Sequence, residues 1–439
     1  MKESVSLGTA RRIAAWASGL PPAFGSGREG AAAALRRLGS LQIDTISVVE
    51  RAHLHVLWSR APNAGADPIA ALEAEPRLAF EYWSHAAAYL PLEEYRFSLS
   101  RMERIRSQGH AWFRADQGAV DYVLGRIRAE GPLRAQDFAE PMKGPRGWWD
   151  WKPAKVALEY LFHSGALAVA TRRGFQKVYD LPERALPSDL DARRPSPAEE
   201  AARHVDRAGS SLGLFARDEI AYLRKDGLAG IDAELQARVE AGSLVEVEVE
   251  APAGASGSAS GRRRGPVRYA SPAALEAAAA LPARPAPRAF ILSPFDPLVI
   301  DRRRLARLFG LDYQVECYVP AAKRRFGYFA LPVLFRDGFG DFGFAALADA
   351  RADRRAKVLE LRRLSLEPFE AATAPGGPRR RRATLEREFA AALAAELGRF
   401  AAFNGAERVE LGQVSGLESR EGAGNGGGGL EGALRALLA

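Results

Sequence analysis

The stretch GPLRAQDF, residues 131–138, has a counterpart in GLFARDEI, residues 213–220. In each, a glycine (Gly131, Gly213) is followed two residues on by an apolar side chain (Leu133, Phe215). A second apolar side chain (Phe138, Ile220) stands seven on, with an aspartate one or two places ahead of it (Asp137, Asp218). This predicts a tight turn leading into a short helix with one buried side. The surroundings repeat as well. Helical spacing at 120–129 and 197–208 precedes the turns, and longer helical patterns at 153–162 and 231–240 follow them. Each of those ends at a small-residue break, after which a two-stranded hairpin is expected (166–170 with 178–181, and 244–249 with 267–269). Helix, turn with a small helix, longer helix, hairpin is the winged-helix order, an elaborated helix-turn-helix. Such modules bind DNA, and some serve only to bind other proteins.

Working outward, residues 1–115 read as an N-terminal helix-turn-helix domain. Helical patterns at 5–20 and 30–38 are parted by Pro21-Pro22 and Gly25-Ser26-Gly27, and an extended run starts at Leu41 and continues from Val48 to Trp58. The two repeats occupy 116–190 and 191–285. From 286 to 415 the pattern becomes strand-like (290–292, 313–319, 328–335) around a helix at 301–309, and a helix at 384–403 and a strand at 407–411 complete an α/β C-terminal domain. The Gly/Ser/Arg-rich stretch 253–265 and the Gly-rich tail 416–439 read as flexible. The expected fold class is α+β, tandem winged-helix domains with a C-terminal α/β domain.

The 439 residues carry a net charge of +8, with 47% hydrophobic and 26% charged residues, an ordinary globular balance. A basic chain has nucleic acid or an anionic membrane surface as its first candidate partners, although many basic proteins have neither. No run of 18 apolar residues and no basic amphipathic helix supports the membrane. Cys317 is the only cysteine, so an intrachain disulfide and a Cys-based zinc or iron–sulfur site are excluded. That fits a reducing cytoplasm, and residues 1–20 show no signal-peptide pattern. There is no Gly-rich phosphate loop, zinc-binding His/Glu motif or Ser/His nucleophile pair. Chemistry here must run on carboxylates and water, with no cofactor and no metal.

Gln42-Ile43-Asp44 is the leading candidate. In an extended segment residues i and i+2 share a side, so Gln42 and Asp44 converge while Ile43 anchors inward. A carboxylate beside a carboxamide can hold and activate a water. Spacing alone favours Asp44 as the cap of a helix starting near Thr45, a common role for Asp. Glu81-Tyr82-Trp83-Ser84-His85 gathers an acid, aromatics and a histidine that suit a base-sized pocket, or a structural histidine in a core. Tyr82 and His85 are the DNA-facing candidates of this group. Lys152 and Lys155, at the start of the 153–162 helix, suit phosphates. The hairpin tip with Arg172, Arg173, Phe175, Gln176 and Lys177 suits a probe of backbone and groove, or a solvated turn. Lys323, Arg324 and Arg325 form a second basic loop beside aromatics. Ser293-Pro294-Phe295-Asp296-Pro297 reads as rigid structural turn chemistry, and Arg379–Arg382 as a solvated basic run.

Six motifs in order, LQIDTI (41–46), EYWSHA (81–86), GWWDWKPAK (147–155), RRGFQKVYDL (172–181), LSPFDPLVIDRRR (292–304) and ECYVPAAKRRFGYF (316–329), resemble the YcaQ-type crosslink-repair DNA glycosylases, relatives of the AlkZ azinomycin-resistance glycosylases. The resemblance runs from about Thr9 to Leu411. It implies tandem winged helices around a DNA channel and hydrolysis of the N-glycosidic bond of N7-alkylguanines, crosslinked ones included. The AlkZ branch carries Gln-apolar-Gln and the YcaQ branch Gln-apolar-Asp, so Gln42-Ile43-Asp44 is similar to the latter. It also implies that the 172–177 hairpin engages DNA. Residues 337–352 and the insert at 253–265 depart from the family pattern. The expected partner is double-stranded DNA with an alkylated or crosslinked guanine, bound by a monomer at the nucleoid. A winged-helix transcriptional regulator is the competing expectation. It has no use for a carboxylate facing anionic DNA.

Overall fold

The computed structural model describes residues 2–22, 24–110, 113–138, 153–223, 228–250, 266–367, 382–416 and 427–438. Strand β1 (Lys2–Val5) leads into helix Leu7–Ala17, capped by the Ser6 hydroxyl on the Thr9 N–H. Helix Gly27–Leu38 ends at Gly39 in the left-handed region, φ 75°, where a side chain would be strained. There follow β2 (Leu41–Gln42), helices Ala52–Trp58 and Pro68–Glu73, and the hairpin β3 (Ala79–Trp83) with β4 (Ala87–Pro91). The next unit holds helices Tyr95–Gln108 and Gln117–Glu130, β5 (Leu133–Arg134), helix Pro153–His163, and the hairpin β6 (Ala168–Arg173) with β7 (Gln176–Asp180). The third has helix Pro197–Leu212, β8 (Leu214–Ala216), helices Arg217–Ile220 and Ile231–Glu240, and strands β9 (Val245–Val249) and β10 (Arg268–Ala270).

The sheets of these units share one topology, with strand orders β2-β4-β3, β5-β7-β6 and β8-β10-β9. In each, a short strand after the opening helix pairs antiparallel with the second strand of the hairpin. β1 extends the last sheet by pairing parallel to β9. The sequence pattern showed two such units, and the N-terminal segment is a third.

The C-terminal domain is a five-stranded sheet in sequential order, β11 (Arg288–Ile291), β12 (Ala330–Arg336), β13 (Phe342–Asp353), β14 (Val358–Leu366) and β15 (Arg408–Gly416). Its pairs are antiparallel except β14 with β15, which the helix Arg382–Phe403 connects. A parallel pair needs such a crossover. Alternate residues feed opposite faces. Phe290, Leu334 and Leu347 join a core with Ile13 and Ala14 of the first helix, while Ile291, Val333 and Leu359 pack with Phe389, Leu393 and Phe400. Each such side chain contributes about 1.5–3 kcal/mol on burial.

Three expectations need correction. Residues 313–319 form no strand, because buried Glu316 accepts from the N–H groups of Arg325, Phe326 and Gly327 and ties the segment into a loop. Gly427–Leu438 is a helix rather than a flexible tail, since Leu430 and Leu434 are buried in the sheet's second core. The run to Trp58 is not extended throughout. Residues 46–51 cross to the C-terminal domain, where the Val48 carbonyl accepts from Ala352 N at 2.7 Å and Glu50 N donates to Asn404 Oδ1 at 2.7 Å. The helix Ala52–Trp58 then begins.

Three histidines are built into these cores. His55 donates or accepts at Nε2 with the Ile291 carbonyl, 2.9 Å away, and burial pushes it down to about 4. Burial, helped by Arg172 and Arg51, pushes His53 down to about 3, and burial does the same to His163. A histidine lowered in the folded state gives stability that is complete above its unfolded pKa of about 6.5 and is lost as pH falls toward the folded value. At pH 5 the loss is on the order of 2 kcal/mol per residue. The thermal midpoint is therefore expected to drop steeply between about pH 6.5 and 4.5. A midpoint that stays level across that window in calorimetry contradicts the assignment.

Candidate active site

Leu41 and Ile43 are buried in the N-terminal core, and β2 sets its ladder against β4, continued by Ile43 N donating to Ala87 O at 2.8 Å. With the two apolar neighbours turned inward, Gln42 and Asp44 lie on the opposite, part-exposed side. Asp44 is not the cap of a helix. Its Oδ1 accepts from Ile46 N at 2.8 Å, which shapes the turn by which the chain leaves the sheet. Among the described residues Asp44 has no cationic partner, whereas its acidic neighbours do: Glu50 pairs with Arg354, and Glu81 with Arg172.

Gln42 is fixed by His85. The His85 Nε2–H donates to Gln42 Oε1 at 2.9 Å, leaving the Gln42 amide nitrogen as a donor without a partner among the described residues. The His85 ring lies 6.5 Å from the Tyr222 ring, whose hydroxyl donates to Ile300 O at 2.7 Å. The loop before β12 completes the rim. Burial, then the Asp44 carboxylate, push the Cys317 thiol up, and burial followed by Cys317 and Asp44 push up the Tyr318 phenol. Tyr318 is nevertheless 87% exposed. The site thus joins the first unit, the third unit and the C-terminal domain. Tyr222, Cys317 and Tyr318 were not singled out from the sequence. Only the position of Cys317 and Tyr318 inside the 316–329 motif hinted at them.

The other candidates fare unevenly. Tyr82 is corrected as a DNA contact, since it is 2% exposed and its hydroxyl donates to His163 O at 2.7 Å. His85 positions Gln42. The 172–177 hairpin does not project freely. Arg172 makes a bidentate pair with Glu81, Nε and Nη2 each donating at 2.7 Å, and its Nη1 donates to Phe175 O. Phe175, at φ 67°, lies nearly parallel to His53 and beneath Arg51, whose guanidinium is 3.7 Å from the ring centre. Lys177 donates to Glu159 at 2.9 Å. These three side chains brace the hairpin on its neighbours, and Arg173 and Gln176 remain exposed at its tip. Lys155 is exposed at the start of its helix, and Lys152 lies outside the described residues. Lys323 and Arg325 are exposed, while Arg324 donates to Val319 O at 2.8 Å and lies over Tyr328.

Among the described residues no cluster of three or more His, Cys, Asp or Glu side chains could hold a metal ion. No helix among them is long and apolar enough to cross a membrane. The fold is similar to that of the Streptomyces sahachiroi DNA glycosylase AlkZ, with a TM-score of 0.54 at 15% sequence identity, over 94% of this chain and 100% of that one. A family model described as DNA glycosylase AlkZ-like matches residues 35–403, a span that holds Gln42, Asp44, His85 and Cys317. The protein is therefore an enzyme of DNA repair, a DNA glycosylase, and the regulator expectation falls. It belongs to the AlkZ-like family.

Proposed function

We propose that the enzyme hydrolyses the N-glycosidic bond of N7-alkylguanines in double-stranded DNA and unhooks interstrand crosslinks built on that position. The observation that carries this reading is the Asp44 carboxylate, without a cationic partner among the described residues, on the rim of a chain of net charge +8 and beside an anchored carboxamide. An N7-alkylated guanine is cationic and leaves readily, so the sugar develops oxocarbenium character early. Asp44 stabilises that charge and orients or deprotonates the attacking water. Gln42, held by His85, offers its amide N–H to the same water without adding charge. No Schiff-base lysine is invoked, so the product is an abasic site in an uncut strand.

In this reading the three repeated units are winged helices lining a DNA channel, within domains at 1–115, 116–190, 191–285 and 286–415. Exposed Lys155, Arg173, Gln176, Lys323 and Arg325, with Arg324, contact the DNA backbone. A crosslinked base cannot swing out of the helix, which favours an open site over an enclosed flipping pocket. The enzyme acts as a monomer at the nucleoid. The test is a duplex with one N7-methylguanine, incubated with the protein and divided in two. Strand cleavage is expected only in the half treated with hot alkali. Cleavage without alkali overturns the monofunctional assignment, and intact strands in both halves overturn the lesion.

A further inference from the structure

Immediately beyond Asp44 the chain borders an open cleft of about 510 Å³, lined by Thr45, Ile46, Ser47, Val48, Tyr328, Arg351 and Ala352. Ligand pockets commonly span roughly 300–1,000 Å³, so this one is large enough for a nucleotide. Its walls are held in place. Val48 and Ala352 share a backbone hydrogen bond, and Arg51 Nη1 donates to Thr45 O at 3.1 Å. The lining contains one guanidinium, the Thr45, Ser47 and Tyr328 hydroxyls, and no carboxylate. Arg351 lies across from Glu360 on the neighbouring strand, but Glu360 pairs with Arg362, and Arg351 makes no hydrogen bond or ion pair with a described residue. Tyr328 is 37% exposed, with the Arg324 guanidinium 5.0 Å from its ring centre. The Asp353 carboxyl, held down first by the Ala356 N–H and further by the Arg351 charge, makes no ion pair with Arg351, so the guanidinium keeps its donors open. Such an arginine with hydroxyls beside it matches a phosphodiester, and an exposed tyrosine matches the face of a base.

We propose that this cleft is a subsite for the nucleotide next to the lesion on the damaged strand, with its phosphate on Arg351 and the Thr45 and Ser47 hydroxyls and its base against Tyr328. The proposal rests on the glycosylase reading above and adds to it the contact that sets the register of the strand over Asp44. Because Thr45 follows Asp44 directly, a phosphate seated here fixes the neighbouring sugar relative to the carboxylate. The contact holds ground state and transition state alike, so its loss appears in half-saturation more than in the saturating rate.

The test measures single-turnover excision of N7-methylguanine while neutral methylphosphonates replace, one at a time, the phosphates flanking the lesion. For the wild type, one position is expected to raise the half-saturating enzyme concentration about five- to tenfold, the size of one lost solvent-exposed hydrogen bond. Arg351→Ala is expected to show that weakening on unmodified DNA and to become indifferent at the same position. If wild type and Arg351→Ala respond alike at every position, the cleft assignment is overturned. The same scan is read as binding by anisotropy. Excision with no Arg351-dependent position removes the subsite and leaves the glycosylase reading standing. A position-dependent binding pattern without excision keeps the subsite and removes the lesion assignment.

Discussion

Asp44→Asn is expected to slow single-turnover excision by on the order of 10²–10⁴, roughly 3–5 kcal/mol of transition-state stabilisation, while DNA affinity stays level or rises. The substitution preserves shape. An asparagine oxygen can still accept from Ile46 N, so the turn that leaves the sheet persists, and the His85–Gln42 contact is untouched. What disappears is the negative charge beside the sugar and the basic group for the water. Binding moves the other way because Asp44 opposes a polyanion: neutralising it removes repulsion. A regulator or a purely structural aspartate does not predict a loss of rate without a loss of binding. The check pairs excision rates on N7-methylguanine duplex with anisotropy titrations of both proteins. An excision rate within threefold of wild type removes Asp44 from the chemistry. A parallel loss of binding and rate makes its role structural.

The repeated units were legible in the sequence where local signals coincide. The Gly131 and Gly213 turns, the apolar pairs that follow, and the hairpins all lie within short stretches of chain. The N-terminal segment was legible as a helix-turn-helix domain but not as a third copy of the repeat, because residues 46–51, between β2 and its next helix, are given over to the C-terminal domain. Val48 and Glu50 satisfy their backbone groups there, with partners hundreds of residues away. The hairpin cations are explained by tertiary contacts of shorter range. Arg172 finds Glu81 and Lys177 finds Glu159 only in the folded chain, and before folding both look like free probes for DNA. Gln42 and Asp44 were legible because alternation needs only two buried neighbours, Leu41 and Ile43. Their surroundings were not, since Tyr222 and Cys317 arrive from other domains. The 342–353 strand was missed because its Ala-rich run carries a weak β pattern, and pairing on both sides by β12 and β14 overrides that.

Removing the Asp296 carboxylate by Asp296→Ala is expected to destabilise the fold by about 3–5 kcal/mol. Arg60 and Asp296 are both 0% exposed. Arg60 Nη2 donates to Asp296 Oδ1 at 2.8 Å, Nη1 reaches Asp296 Oδ2 and, at 2.7 Å, Ser59 Oγ, and Nε donates to Ser18 O at 2.9 Å. Asp296 Oδ1 also accepts from Leu298 N at 3.0 Å. One guanidinium thus ties the end of the first helix, the end of the Ala52–Trp58 helix and the turn after β11. Truncating the acid strands a fully buried cation that no water can reach. The net worth of the pair is a separate quantity, because both charges also lost hydration on folding. Arg60→Met with Asp296→Leu is therefore expected to cost much less than Asp296→Ala alone, since nothing charged remains buried. Unfolding free energies for Arg60→Met, Asp296→Leu and the double give the coupling directly. If Asp296→Ala lowers stability by less than about 1 kcal/mol, the pair does not hold this junction. The Ala52–Trp58 helix, and with it the segment that carries Asp44, must then be positioned by the apolar contacts of Val49 and Trp58 with the C-terminal sheet.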